Sequence, residues 1–149
     1  MSTHTAISYH IVFSTKNRAP VLKRERREDL FRYTWGIIKN RHAHLYRVNG
    51  VEDHLHILSS LCIPPLASRT SSRISRLARR SGLRKTRCSA GSLTWQEGYA
   101  GFTCSKRDLD DLIEYIKGQE EHHRKTTFEE EYRKLLVDAG IEFDERDML

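Results

Sequence analysis

The sequence predicts an α+β fold, an antiparallel sheet with helices packed against it. Three observations lead there. Residues 6–14 alternate in polarity, residues 54–58 form an apolar, β-prone run carrying His54 and His56, and residues 108–124 place apolar side chains at helical spacing. In order, the chain reads as strand, helix, strand, strand, a helix-sized segment, strand and helix, with one further capped helix at the end.

Each element has its own signal. In residues 6–14, Ile7, Tyr9, Ile11 and Phe13 fall on one side of a strand, and Ser8, His10, Val12 and Ser14 on the other. Lys16, Asn17 and Arg18 follow as a basic turn ended by Pro20, either a solvated loop or a contact for phosphate. Residues 24–42 read as a helix with Leu30, Phe31, Thr34 and Ile38 at helical spacing. Residues 45–51 form a second strand, and Asn49-Gly50 can turn the chain into the histidine strand, which runs on to Leu61 and stops at Pro64-Pro65. Residues 99–104 suit a short last strand. In residues 108–124 the core stripe is Leu109, Leu112, Ile113 and Ile116, with Tyr115 and Gln119 together on its flank. Thr127 and Glu130 have the spacing of a capping box; Phe128, Tyr132, Leu135, Leu136 and Ala139 form a packing face, and Gly140 stops the helix.

The chain of 149 residues suits a single domain. It shows no apolar run long enough for a membrane span and no signal peptide. Cys62, Cys88 and Cys104 are odd in number and lack metal spacing, which points to a reduced, cytoplasmic protein. The net charge of +6 invites a nucleic-acid partner, yet it is unevenly placed. Arg69, Arg73, Arg76, Arg79, Arg80, Arg84, Lys85 and Arg87 supply +8 in a stretch free of Asp and Glu, so the rest of the chain carries 6 − 8 = −2.

His54 and His56 lie two residues apart, so a strand projects both from one face. They are either half-exposed strand residues or half of a metal site. Tyr115 and Gln119, four apart, share one side of a helix. Together with Tyr9-His10-Ile11-Val12-Phe13, Asp53-His54-Leu55-His56, Trp95-Gln96-Glu97-Gly98-Tyr99, Tyr115 to His123, and Thr127 to Tyr132, these residues resemble the single-tyrosine HUH transposases of insertion sequences and REP-associated elements.

The resemblance implies an RRM-like (ferredoxin-like) sheet with the catalytic tyrosine, Tyr115, on a helix in the C-terminal half. It also implies a homodimer acting on single-stranded DNA that bears a hairpin, through a 5′-phosphotyrosine link with a free 3′-hydroxyl. Within it, His54 and His56, with Gln119 as third ligand, can hold a divalent ion, Mg²⁺ or Mn²⁺, although zinc also accepts such donors. Gly118 departs from the Asn frequent in relatives. His122 and His123 read as exposed helix-end residues, and His4, His42 and His44 as surface. Trp95, Tyr99 and Phe102 are open to base stacking or core packing, and Tyr132 to core packing. A second reading is a catalytically impaired or domesticated hairpin-binding protein.

Residues 67–93 are Arg- and Ser-rich with no apolar period, where the resemblance calls for an amphipathic helix. They read as the product of a shifted reading frame. If Ser68, Ser71, Ser72 and Ser75 use TCN codons, the frame formed by each third base and the next two bases puts T in the middle position, which encodes only apolar residues. Those fall at a spacing of 0, 3, 4 and 7, a helix face. Permitted codons allow a net −1 there in place of +8, taking the chain from +6 to −3. The alternative is a genuine basic loop.

Overall fold

The computed structural model describes residues 6–40, 43–60 and 95–148. Four strands, β1 (Ser8–Ser14), β2 (Leu45–Gly50), β3 (His54–Ser60) and β4 (Ala100–Cys104), form one sheet in the order β2-β3-β1-β4. Every neighbouring pair is antiparallel. Helix α1 (Arg24–Lys39) links β1 to β2; α2 (Leu109–Lys117), α3 (Gln119–His122) and α4 (Phe128–Asp138) follow β4. This is the expected ferredoxin-like strand order in an α+β chain. The anomalous stretch 67–93, the Leu61 end of β3 and Pro64-Pro65 lie outside the described residues. Among the described residues no helix is long and apolar enough to cross a membrane.

Strand alternation splits the core in two. Ile11, Phe13, Leu55 and Ile57 pack on one face with Leu22, Trp95 and α1's Leu30, Ile37 and Ile38. The opposite face puts Val12 and Ala100 against Phe128, Tyr132 and Leu136 of α4. Both faces of the central strands are therefore covered, and each fully buried Leu, Ile or Phe contributes roughly 1.5–3 kcal/mol. Trp95 belongs to the core, with Tyr99 packed against it, and Phe102 packs against the second cluster. Trp95 is thus a core residue, while Tyr99 and Phe102 pack against the core with part of each ring exposed. Tyr132, like Trp95, is buried.

Element ends follow local chemistry. The first strand begins at Ser8 rather than residue 6, and the first helix ends at Lys39 rather than 42. At the close of β2, a Cβ on Gly50 would stand 2.3 Å from the His54 carbonyl oxygen, so the turn into the histidine strand needs glycine there. The single helix expected over residues 108–124 breaks in two at Gly118, the C-cap of α2 and N-cap of α3, as glycine's low helix propensity allows. The Thr127–Glu130 capping box opens α4, and Gly140, at φ +67°, follows its end.

Buried Arg27 ties the helical layer to this frame. Its guanidinium donates to the Gly50 carbonyl at 2.8 Å and to Glu120 at 3.0 Å. Asn49 Nδ2 donates to the carbonyls of Ile116 and Lys117 at 2.9 and 3.1 Å, fastening the end of α2 to β2.

Candidate active site

His54 and His56 project from the same face of β3, both at 0 % exposure. Each ring is held from behind through Nδ1. His54 Nδ1 lies 2.7 Å from Asp53 Oδ1, and His56 Nδ1 lies 2.8 Å from Nε2 of His10 on β1. Both Nε2 atoms then point into one space beneath α3 and α4, where Phe128 stacks on His54 with ring centroids 4.2 Å apart.

Four more side chains close that space. Gln119, fully buried at the start of α3, has Oε1 3.5 Å from His54 Nε2 and 3.1 Å from His123 Nε2. Glu131 on α4 places Oε2 3.5 Å from Nε2 of both β3 histidines and 2.9 Å from Nε2 of His123. Its other oxygen, Oε1, accepts from Gln119 Nε2 at 3.0 Å and from the Tyr115 hydroxyl. His123 Nδ1 is in turn 2.9 Å from the Thr126 carbonyl.

Charges at this point are strongly coupled. Burial raises the Glu131 carboxyl, but the hydrogen bond with His123 and the nearness of His56 outweigh it and hold the group far below the usual carboxylate range. Burial, and then the charge and hydrogen bond of Glu131, push the Tyr115 phenol well up. Desolvation pulls His123 down, yet its hydrogen bond to Glu131 and that carboxylate's charge leave it raised. His10 is lowered to about 3 by burial and by neighbouring His56.

The donor set suits a cation. With Nδ1 of His54 and His123 hydrogen-bonded to oxygen, their Nε2 lone pairs face the oxygens of Gln119 and Glu131, an arrangement that repels unless a proton or metal lies between. His56 Nε2 is buried with no hydrogen-bond partner. One ligand atom each from His54, His56, His123 and Glu131 lies within 4.8 Å of all the others. A divalent ion held by imidazole nitrogens and a carboxylate fits the chemistry of these residues.

The structure therefore brings together all four residues expected from the sequence: Tyr115, His54, His56 and Gln119. Of the basic turn, Arg18 comes beside the site's His123. It lines a cleft of about 430 Å³ with Asp53, His123, Thr127 and Phe128, and pairs with Glu129 at 3.3 Å. Lys16 and Asn17 are exposed beside it, and Asn17 and Arg18 both hold positive φ, at 56° and 52°. Two residues correct the sequence reading. His122 and His123 are partly buried, not exposed, and His123 turns inward because the chain doubles back from the short α3 into α4. Sequence pattern alone singles out neither Glu131 nor His10 for this site. Glu131 does leave a signal: it falls within the 128, 132, 135, 136 packing face, where a carboxylate needs a partner.

Fold and site together define a ferredoxin-like domain that gathers histidines, a glutamine, a glutamate and a tyrosine on one covered sheet face. The sequence model of the family "Transposase IS200 like" matches residues 3–119, and the chain belongs to that family. A crystal structure of a candidate transposase from Deinococcus radiodurans R1 is similar at 20% identity and TM-score 0.62, covering 80% of this chain and 95% of that one. A REP-associated tyrosine transposase bound to a REP hairpin is similar at 14% identity and TM-score 0.54, covering 79% of this chain and 72% of that one. At these identities both share the fold. No curated protein matches the chain significantly.

Proposed function

We propose that this transposase-family protein is a metal-dependent strand-transfer nuclease for single-stranded DNA, with Tyr115 as nucleophile. The observation that carries the reading is the convergence of His54, His56, His123, Gln119 and Glu131 beside the Tyr115 hydroxyl, all within one chain. A bound Mg²⁺ or Mn²⁺ would draw charge from the scissile phosphate.

The residues themselves do the rest. Tyr115 Oη attacks phosphorus and its proton passes to water, since Glu131, which accepts its hydrogen bond, is held far below the usual carboxylate range and is too weak a base to take it. The P–O3′ bond breaks, leaving a 3′-hydroxyl after protonation by water and a 5′-phosphotyrosine. Reversal by a second 3′-hydroxyl joins the new strands without ATP. The neighbour bound to a REP hairpin supports a hairpin-bearing strand as substrate, and Arg18, exposed in the cleft beside His123, suits a phosphate there. The assembly we infer is a homodimer, although one chain already holds every group named above.

A hairpin-binding protein that does not cut is the second reading. It is favoured by the engagement of the Tyr115 phenol by Glu131, which keeps the nucleophile protonated. Incubation with single-stranded hairpin DNA and Mn²⁺, followed by a denaturing gel, separates the two. A covalent adduct supports the nuclease; hairpin binding without adduct supports the second reading.

A further inference from the structure

We propose that His10 is the positioning residue that fixes His56 in the tautomer whose Nε2 lone pair faces the other metal-binding donors. The inference rests on the metal reading above. His10 sits on β1, one step diagonal to His56, whose partner in register is Val12. Their rings lie edge to edge and nearly coplanar, with centroids 5.1 Å apart at 20°, and the Nε2–Nδ1 separation of 2.8 Å is a hydrogen bond.

Two neutral imidazoles sharing one hydrogen bond leave two possibilities. If His10 donates, the proton of His56 lies on Nε2, a buried N–H whose nearest acceptor, Glu131 Oε2 at 3.5 Å, is not placed to form a hydrogen bond, which is costly. If His56 donates from Nδ1, its Nε2 presents a lone pair beside Nε2 of His54 and His123 and Oε2 of Glu131, and no donor is stranded. The second arrangement repeats on His56 what Asp53 does for His54, an acceptor behind a ligand ring.

The position also explains why the acceptor is an imidazole. His10 is 2 % exposed in the central strand, enclosed by Phe102 and Tyr115 at centroid distances of 5.9 and 6.4 Å. A second carboxylate there would be a buried charge without a cationic partner. A neutral ring accepts the hydrogen bond and avoids that cost.

The test uses the full-length metal-free protein, titrated with Mn²⁺ by calorimetry, with circular dichroism to confirm folding. His10→Leu removes the acceptor at similar volume and should weaken Mn²⁺ binding roughly 10- to 100-fold. His10→Gln keeps an acceptor and should recover affinity to within a few-fold. Long-range ¹⁵N–¹H correlations on the metal-free wild type should place the His56 proton on Nδ1, a readout that survives if His10→Leu does not fold. A proton on His56 Nε2, or wild-type affinity in a folded His10→Leu, overturns the inference alone. A wild type that binds no Mn²⁺ overturns the metal reading and this inference with it.

Discussion

Tyr115 and Glu131 share a hydrogen bond in which the phenol donates to Oε1, while Oε2 of the same carboxylate faces Nε2 of both His54 and His56. One side chain thus touches the proposed nucleophile and the proposed ion-binding donors at once. Tyr115→Phe removes the attacking oxygen but little volume. It should abolish the covalent adduct on a denaturing gel while hairpin affinity in a gel-shift assay stays within a few-fold. Adduct formed by the variant would transfer the nucleophile's role to another residue.

Glu131→Gln keeps the shape of α4 and removes the charge. Burial and the Glu131 carboxylate together raise the Tyr115 phenol, so the variant should ionise Tyr115 at lower pH than wild type. Ultraviolet difference titration against the same background carrying Tyr115→Phe isolates that group. Mn²⁺ affinity should fall in parallel, read by calorimetry. An unchanged tyrosine titration would mean that burial alone sets the phenol.

The metal-free protein should lose stability on acidification. His10 titrates at about 3 when folded against 6.5 for an unperturbed histidine, so unfolded chains take up the proton first as pH drops below about 6.5. The stability this group contributes is complete above that pH and lost down to about 3; His56, also lowered, acts in the same sense. His123 acts oppositely: its folded value is raised, so its contribution is present below 6.5 and lost as pH rises through the folded value. Two groups outweigh one, and melting midpoints should fall from about pH 7 to about pH 5. A rising midpoint would assign control to His123.

Gly50→Ala should destabilise the fold by about 1–3 kcal/mol, because the new Cβ meets backbone rather than a yielding side chain. The atom it meets is the His54 carbonyl oxygen, so Mn²⁺ affinity should fall with stability. Chemical denaturation and calorimetry on one preparation check both. Gly118→Ala is the contrast. Its Cβ would find only ordinary contacts, at 3.5 and 3.7 Å, and helix propensity predicts a gain of up to about 1 kcal/mol.

The coding DNA tests residues 67–93. Codons compatible with a helix-patterned sequence in the shifted frame are expected. The restored chain, at net −3, should fold more stably than the basic one at +6. Codons that cannot give such a pattern would leave a genuine basic loop.

Local periodicity reveals only part of the site. Alternation alone puts His54 and His56 on one face, and a four-residue helical step does the same for Tyr115 and Gln119; both pairs converge in the fold. The capping box and the Gly50 turn are equally visible, since each depends on residues a few positions apart. His10 is not, because its role comes from strand pairing 46 residues away. Glu131 looks like part of an acidic first turn, and only the covered sheet face shows which of its neighbours turns inward. His123 reads as an exposed helix end because the reversal after α3 is a tertiary event.

The two hydrogen bonds from Asn49 to the carbonyls closing α2, together with the Arg27 bridge from Gly50 to Glu120, fasten the chain to the sheet on both sides of Gly118. Tyr115 before the kink and Gln119 after it are therefore held in place together. In the proposed reaction, a strand linked to Tyr115 would stay beside His54 and His56. Exchange of partners would then come from the nucleic acid moving through a stationary site, with the incoming 3′ end finding the phosphate rather than the reverse.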